Sequence, residues 1–152
     1  MSSSGLFDKR HIDHRFEPFS VEIEKGAIRA FAKAIGETDP IYFDEAAAKA
    51  AGYASLLAPP TFIASLQAQS PDYFPVAGLL GFDETAALHG SQAYDYVLPI
   101  CAGETVTLQD RIADIYEKKN GALNFVVTET EVRNASGDVM ALARETLVVR
   151  VA

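Results

Sequence analysis

The second half of the chain limits the possible folds most. From Leu88 onward, four long segments follow one another, separated by turn signals. Leu88–Val97 reads as a strand and Pro99–Gly103 turns the chain. In Thr105–Glu117, Val106, Leu108, Ile112 and Tyr116 fall at even spacing, the period of a strand with one buried face. Asn120-Gly121 predicts a type I′ hairpin, because that turn needs positive φ at both central residues. Leu123–Arg133 follows, with Phe125 and Val127 on one face. Asn134–Asp138 turns again, and Val139–Val151 is the last strand. There the Ala141, Ala143, Glu145 face alternates with the Leu142, Arg144, Thr146 face. Short turns of this kind join antiparallel strands, not parallel ones.

The first half follows helical spacing after a short strand, Phe16–Ile23. Ile28, Phe31, Ala32 and Ile35 lie at i, i+3, i+4, i+7 and form one apolar helix face, with Gly36 as the stop. Asp44 is placed to cap an alanine-rich helix, Glu45–Ala51, ended by Gly52. Pro59 and Pro60 interrupt the chain. Thr61 is placed to cap a third helix, Phe62–Gln69, apolar on most sides and therefore expected to be buried. Ser70–Thr85, rich in Pro, Gly and aromatics, reads as a loop with either a functional role or irregular packing. Helices segregated from strands predict an α+β domain. One economical arrangement wraps a curved sheet around the third helix. An open edge strand would then favour pairing with a second chain.

Residues 1–15 are expected to be a flexible N-terminus and 16–152 one folded domain. The 152 residues suffice for a core. A formal net charge of −8 argues against a nucleic-acid partner and gives no reason to expect an anionic membrane surface. A local basic patch would still admit an anionic ester. One cysteine, Cys101, excludes an internal disulfide, and it reads as an ordinary buried or half-buried thiol in a reduced, cytoplasmic setting. Three scattered histidines and that cysteine supply no zinc motif, so no metal and no cofactor are expected.

Four stretches together resemble one family. Ile35-Gly36-Glu37-Thr38-Asp39-Pro40-Ile41-Tyr42 is similar to the hydratase motif of MaoC-like (R)-specific enoyl-CoA hydratases, Gly-Asp-x-Asn-Pro-(Leu/Ile/Val)-His. Leu57-Ala58-Pro59-Pro60-Thr61-Phe62 resembles the start of the central helix in the FAS1-like branch of that family. His89-Gly90-Ser91-Gln92-Ala93-Tyr94 and Pro99-Ile100-Cys101-Ala102-Gly103-Glu104 resemble that branch's second-half strand and turn. The resemblance covers the chain from Phe16 onward. It implies a hot-dog fold, a homodimer or a heterodimer with a second hot-dog subunit, and hydration or dehydration of an acyl-CoA or acyl-carrier thioester.

That chemistry needs a base for water, an acid for the α-carbon and donors for the thioester oxygen. In the family an Asp and a His of the motif move the protons, and a backbone N–H at the central helix start polarises the carbonyl. This sequence departs at each place. Glu37 keeps the carboxylate on a longer arm. Tyr42 replaces the imidazole with a phenol of ordinary pKa about 10, a poor base that still donates. Pro60 stands where many relatives have Gly and has no N–H, leaving Thr61 as the substitute donor. Asp39 replaces Asn; beside Glu37 it either raises a carboxyl pKa or forms a solvated pair. His89 either supplies the missing imidazole or bonds a backbone carbonyl, and Gln92 shares that ambiguity. Tyr94 and Tyr96 read as packing residues.

Three functions follow. The first is a hydro-lyase with Glu37 as base, Tyr42 or His89 as the second proton-handling group, and Asp39, Pro60, Thr61 and Gln92 toward the substrate. The second is a non-catalytic, acyl-chain-binding subunit of a heteromeric dehydratase. The third is a homodimeric thioester-binding protein or a hot-dog thioesterase. Fold alone does not separate them.

Overall fold

The computed structural model describes residues 5–150. The expected strand end at Val151 and the first four residues of the N-terminal segment lie outside them. The chain runs β1 (Phe19–Glu22), α1 (Lys25–Ala34), α2 (Glu45–Ala50), α3 (Ile63–Gln67), α4 (Pro75–Leu80), β2 (Ala87–Tyr96), β3 (Thr105–Lys118), β4 (Leu123–Arg133) and β5 (Val139–Arg150). Short 3₁₀ turns lie at Lys9–His11, Pro40–Tyr42 and Glu84–Ala86. The strands form one antiparallel sheet in the order β1-β3-β4-β5-β2. β1 and β2 are therefore its edges.

The sheet curves around α3. Phe62, Ile63 and Leu66 are buried against Val106 and Leu108 of β3, Val132 of β4, and Met140, Ala141 and Ala143 of β5. The helix is shorter than its apolar run suggested. It begins at Ile63 and carries no side-chain cap, so Thr61 does not cap it. Phe62 turns into the core and stacks edge-on against Phe31, with ring centres 5.4 Å apart. Ala64 and Ala68 are exposed, so one flank of α3 is open.

Other differences have plain causes. Ser70–Thr85 is not all loop. Pro75 opens α4, because a helix's first position needs no N–H donor, and Gly81 closes it at φ 73°. On α1, Ile28 and Ala32 are fully buried, but Ile35 is exposed because the helix ends at Ala34 and Gly36 turns the chain at φ 80°. A register shift between Ile112 and Asp114 swaps the faces of β3. Ile115 then takes the buried place and Tyr116 stacks on Phe125 on the other face, at 4.7 Å. Phe125 and Val127 do share a face, but it is opposite the one bearing Val126 and Val132, both fully buried. Residues 5–15, expected to stand outside the fold, contribute Phe7. It is buried and packs on Phe82, with ring centres 5.3 Å apart.

Several local readings hold without change. Asp44 accepts from the Ala46 N–H and caps α2. Asn120 and Gly121 both take positive φ, at 54° and 84°. The Ala122 N–H closes that turn on the Lys119 carbonyl at 3.2 Å. Cys101 is buried and unpaired.

Candidate functional site

Two regions at opposite ends of α3 carry the residues singled out above. The first lies at the α3 start. After α1, the Glu37 N–H returns to the Ala32 carbonyl and Asp39 accepts from the Ile41 N–H, capping the Pro40–Tyr42 turn. The Asp39 side chain therefore organises the loop. The Leu57 N–H reaches the Ile41 carbonyl, and the Ala58 N–H reaches the Ile100 carbonyl. These bonds bring the motif loop, the Pro59–Thr61 corner and the Pro99–Gly103 turn side by side.

Tyr42 is half-buried there. Burial pushes its hydroxyl pKa up, and the Glu37, Asp39 and Tyr53 charges push it further the same way. Tyr42 is therefore held protonated: a donor, not a base. Tyr96 behaves likewise. Burial first, then Tyr94 and Tyr42, raise its pKa well above the ordinary phenol range. Its hydroxyl donates to the Pro60 carbonyl at 2.7 Å. Tyr96 is thus more than the packing residue its sequence suggested, whereas Tyr94 does pack against the core. Pro60 and Thr61 are both exposed. A groove of about 330 Å³ opens beside them, lined by Tyr53, Leu57, Pro60, Tyr96, Leu98 and Ile100 among others.

The second region lies at the α3 end. A cavity of about 530 Å³ sits between α3, the Ser70–Val76 segment and the sheet. His89 and Gln92 line it; Glu37 and Tyr42 do not. The imidazole expected beside Glu37 therefore lines a cavity that Glu37 does not. His89 Nε2 meets Gln92 Oε1 at 3.1 Å and approaches Glu145 Oε1 at 3.5 Å. Its side-chain partners are thus Gln92 and Glu145, in place of the backbone carbonyl its strand-start position suggested.

Asp110 and Glu145 complete this cavity, and neither was singled out in the sequence. Gln67 Nε2 donates to Thr130 Oγ1 at 2.7 Å, and Thr130 Oγ1 donates to Asp110 Oδ1 at 2.6 Å. Burial raises the Asp110 pKa against the lowering effect of that hydrogen bond. Burial also raises the Glu145 pKa, opposed by His89 and reinforced by Asp110. The sequence did hold a signal. Asp110 continues the Val106, Leu108 alternation, and Glu145 continues the Ala141, Ala143 alternation. Each is a carboxylate on a strand face that otherwise points to the core, where an ion needs a reason to be.

A curved antiparallel sheet around a short central helix, with a cavity at each end, defines the class: this is an α+β hot-dog domain. The chain belongs to the family of the FAS1-like, dehydratase domain region, whose model matches residues 10–143. A UPF0336 protein of Streptomyces avermitilis is 37% identical over 137 residues, spanning 90% of this chain and 88% of that relative. Among solved structures, a chain of the C-terminally truncated HadBC (3R-hydroxyacyl-ACP dehydratase) complex from Mycobacterium tuberculosis superposes with a TM-score of 0.78. It is 24% identical, with 91% of this chain and 96% of that one covered. The MaoC-like dehydratase from Rhodospirillum rubrum superposes with a TM-score of 0.71 and is 20% identical, with 93% of each chain covered. Both structures are hot-dog dehydratases, and at these identities they speak to the fold.

Proposed function

We propose that this chain handles acyl thioesters as the chain-holding subunit of a heteromeric dehydratase, beside a second hot-dog chain that moves the protons. The observation that carries this reading is the Tyr42–Pro60–Tyr96 corner. A phenol held protonated occupies the motif's imidazole position. Pro60 offers no N–H to a thioester oxygen, and its own carbonyl is occupied by Tyr96. His89, the other candidate proton-handling group, lines the cavity at the α3 end, which Glu37 does not line.

Two further features favour a partner. β2 is an edge strand, and Leu88, Tyr96, Val97 and Leu98 on or just after it are exposed. Unpaired edges with apolar side chains invite another chain. The HadBC complex, similar in fold, is itself an assembly of two kinds of chain.

The test uses the purified chain with crotonyl-CoA. No loss of enone absorbance is expected from the chain alone, with turnover appearing when a hot-dog partner bearing the intact motif is added. Hydration by the chain alone, abolished in Glu37→Gln, would replace this reading with the hydro-lyase one. Release of free thiol would replace it with a thioesterase.

A further inference from the structure

The cavity at the α3 end is built differently from the groove beside Pro60. Its lining combines polar groups, among them Gln92, Asp110 and Glu145, with the apolar Phe74, Val76 and Leu147. Its volume, about 530 Å³, lies in the roughly 300–1,000 Å³ range of small-molecule pockets.

Three polar groups there have unused hydrogen-bonding capacity. Gln92 has its amide oxygen against His89, but its Nε2 is shielded from solvent and has no partner among the described residues. Such a buried orphan donor is uncommon and calls for an explanation. Asp110 engages Thr130 through Oδ1 only, among the described residues. Among the described residues, the Glu145 side chain makes only its 3.5 Å approach to His89. The terminal torsion of a glutamine is soft, so a small rotation brings Nε2 toward the cavity when an acceptor arrives.

These groups discriminate among ligands. The lining includes Asp72, Glu84, Asp110 and Glu145, with no Lys or Arg, so an anionic group is repelled. An ammonium group would satisfy the carboxyls but leave the Gln92 nitrogen without an acceptor. A hydroxyl does both: its oxygen accepts from Gln92 and its proton goes to a carboxyl oxygen. Burial already favours the neutral form of both acids, which suits a neutral guest.

We propose that this cavity binds an alcohol, an aliphatic body bearing a hydroxyl held between Gln92 and the Asp110 and Glu145 carboxyls. The cavity is separate from the groove beside Pro60, so its test stands whatever the crotonyl-CoA assay returns.

The test is a titration of the ¹⁵N-labelled full chain, followed by NMR, with three probes of equal length: hexan-1-ol, hexan-1-amine and hexanoate. Hexan-1-ol is expected to give saturable shifts at the Gln92 side-chain amide and at the backbone of Ala64–Ser70 and Thr128–Thr130. The amine and the acid should bind at least about tenfold more weakly, the equivalent of about one hydrogen bond. Gln92→Leu should weaken hexan-1-ol by about the same factor. Ala68→Phe, at an exposed lining position, should block the cavity without touching the polar network, and it decides the matter if the Leu variant does not fold. Equal binding of amine or carboxylate, shifts that do not saturate, or undiminished binding in the folded variants would each overturn the proposal.

Discussion

Phe62→Ala tests the packing on which both cavities depend. Phe62 is 1% exposed, sits one residue before α3 and meets Phe31 edge-on. Removing a buried aromatic ring costs about 3–5 kcal/mol, combining lost transfer energy with the cavity left behind. The Phe31 contact contributes about 0.5–1.5 kcal/mol of that through edge-to-face geometry. Total stabilities of about 5–15 kcal/mol make such a loss large. At roughly 2–4 °C per kcal/mol for a domain of this size, the melting temperature should fall by about 10 °C. Urea unfolding of wild type, Phe62→Ala, Phe31→Ala and the double variant measures both quantities. The single Phe62 variant should lose about 3–5 kcal/mol, and the cycle should return a coupling of about 1 kcal/mol. A loss below about 1.5 kcal/mol for Phe62→Ala, with an unchanged unfolding slope, would refute the claim that the sheet closes on this ring.

Two further predictions concern the sheet. The folded-state pKa of Asp110 lies above its ordinary value of 3.8. The unfolded chain therefore releases this proton first as pH rises, and stability falls from about pH 4 until the raised folded value is passed. Asp110→Asn keeps an acceptor for Thr130 and removes the charge. It should be more stable than wild type at pH 8 and show little difference at pH 3 by urea unfolding; equal stabilities at pH 8 would contradict this. Gly90 sits at the register shift between His89 and Ser91. A Cβ there would lie 2.9 Å from Val148 Cγ2 and 3.0 Å from the Thr146 carbonyl oxygen. Gly90→Ala should cost about 1–3 kcal/mol in thermal or urea unfolding; a neutral result would mean that β2 lies further from β5.

The carboxylates mark how far the candidate site was legible. The sequence named Glu37, Asp39, Tyr42, Pro60 and Thr61 as neighbours, and the loop bonds linking Ile41 to Leu57 and Ala58 to Ile100 bring their segments together. It also placed His89 as a possible partner of Glu37, which the structure does not, because β2 carries it toward the far end of α3. Asp110 and Glu145 were visible as charges in apolar alternation, but nothing local says that two such strands converge on one cavity. α4 was hidden because Pro75 lies in a Pro- and Gly-rich stretch that reads as loop, when it is a helix's first residue.

Sequence alone determined the strands of the second half and their antiparallel pairing, helices α1 and α2, and several local caps and turns, because these rest on side-chain period, on φ preferences and on hydrogen bonds a few residues long. Asp44, Gly36 and Asn120-Gly121 needed no distant partner to act as they do. Tertiary structure decided what depends on long-range register. The shift at Ala113 exchanges Tyr116 for Ile115, and strand order places His89 on the cavity at the α3 end, which Glu37 does not line. One residue of register reverses a strand's faces, and pairing across tens of residues of chain is fixed only when the whole sheet closes on Phe62, Ile63 and Leu66.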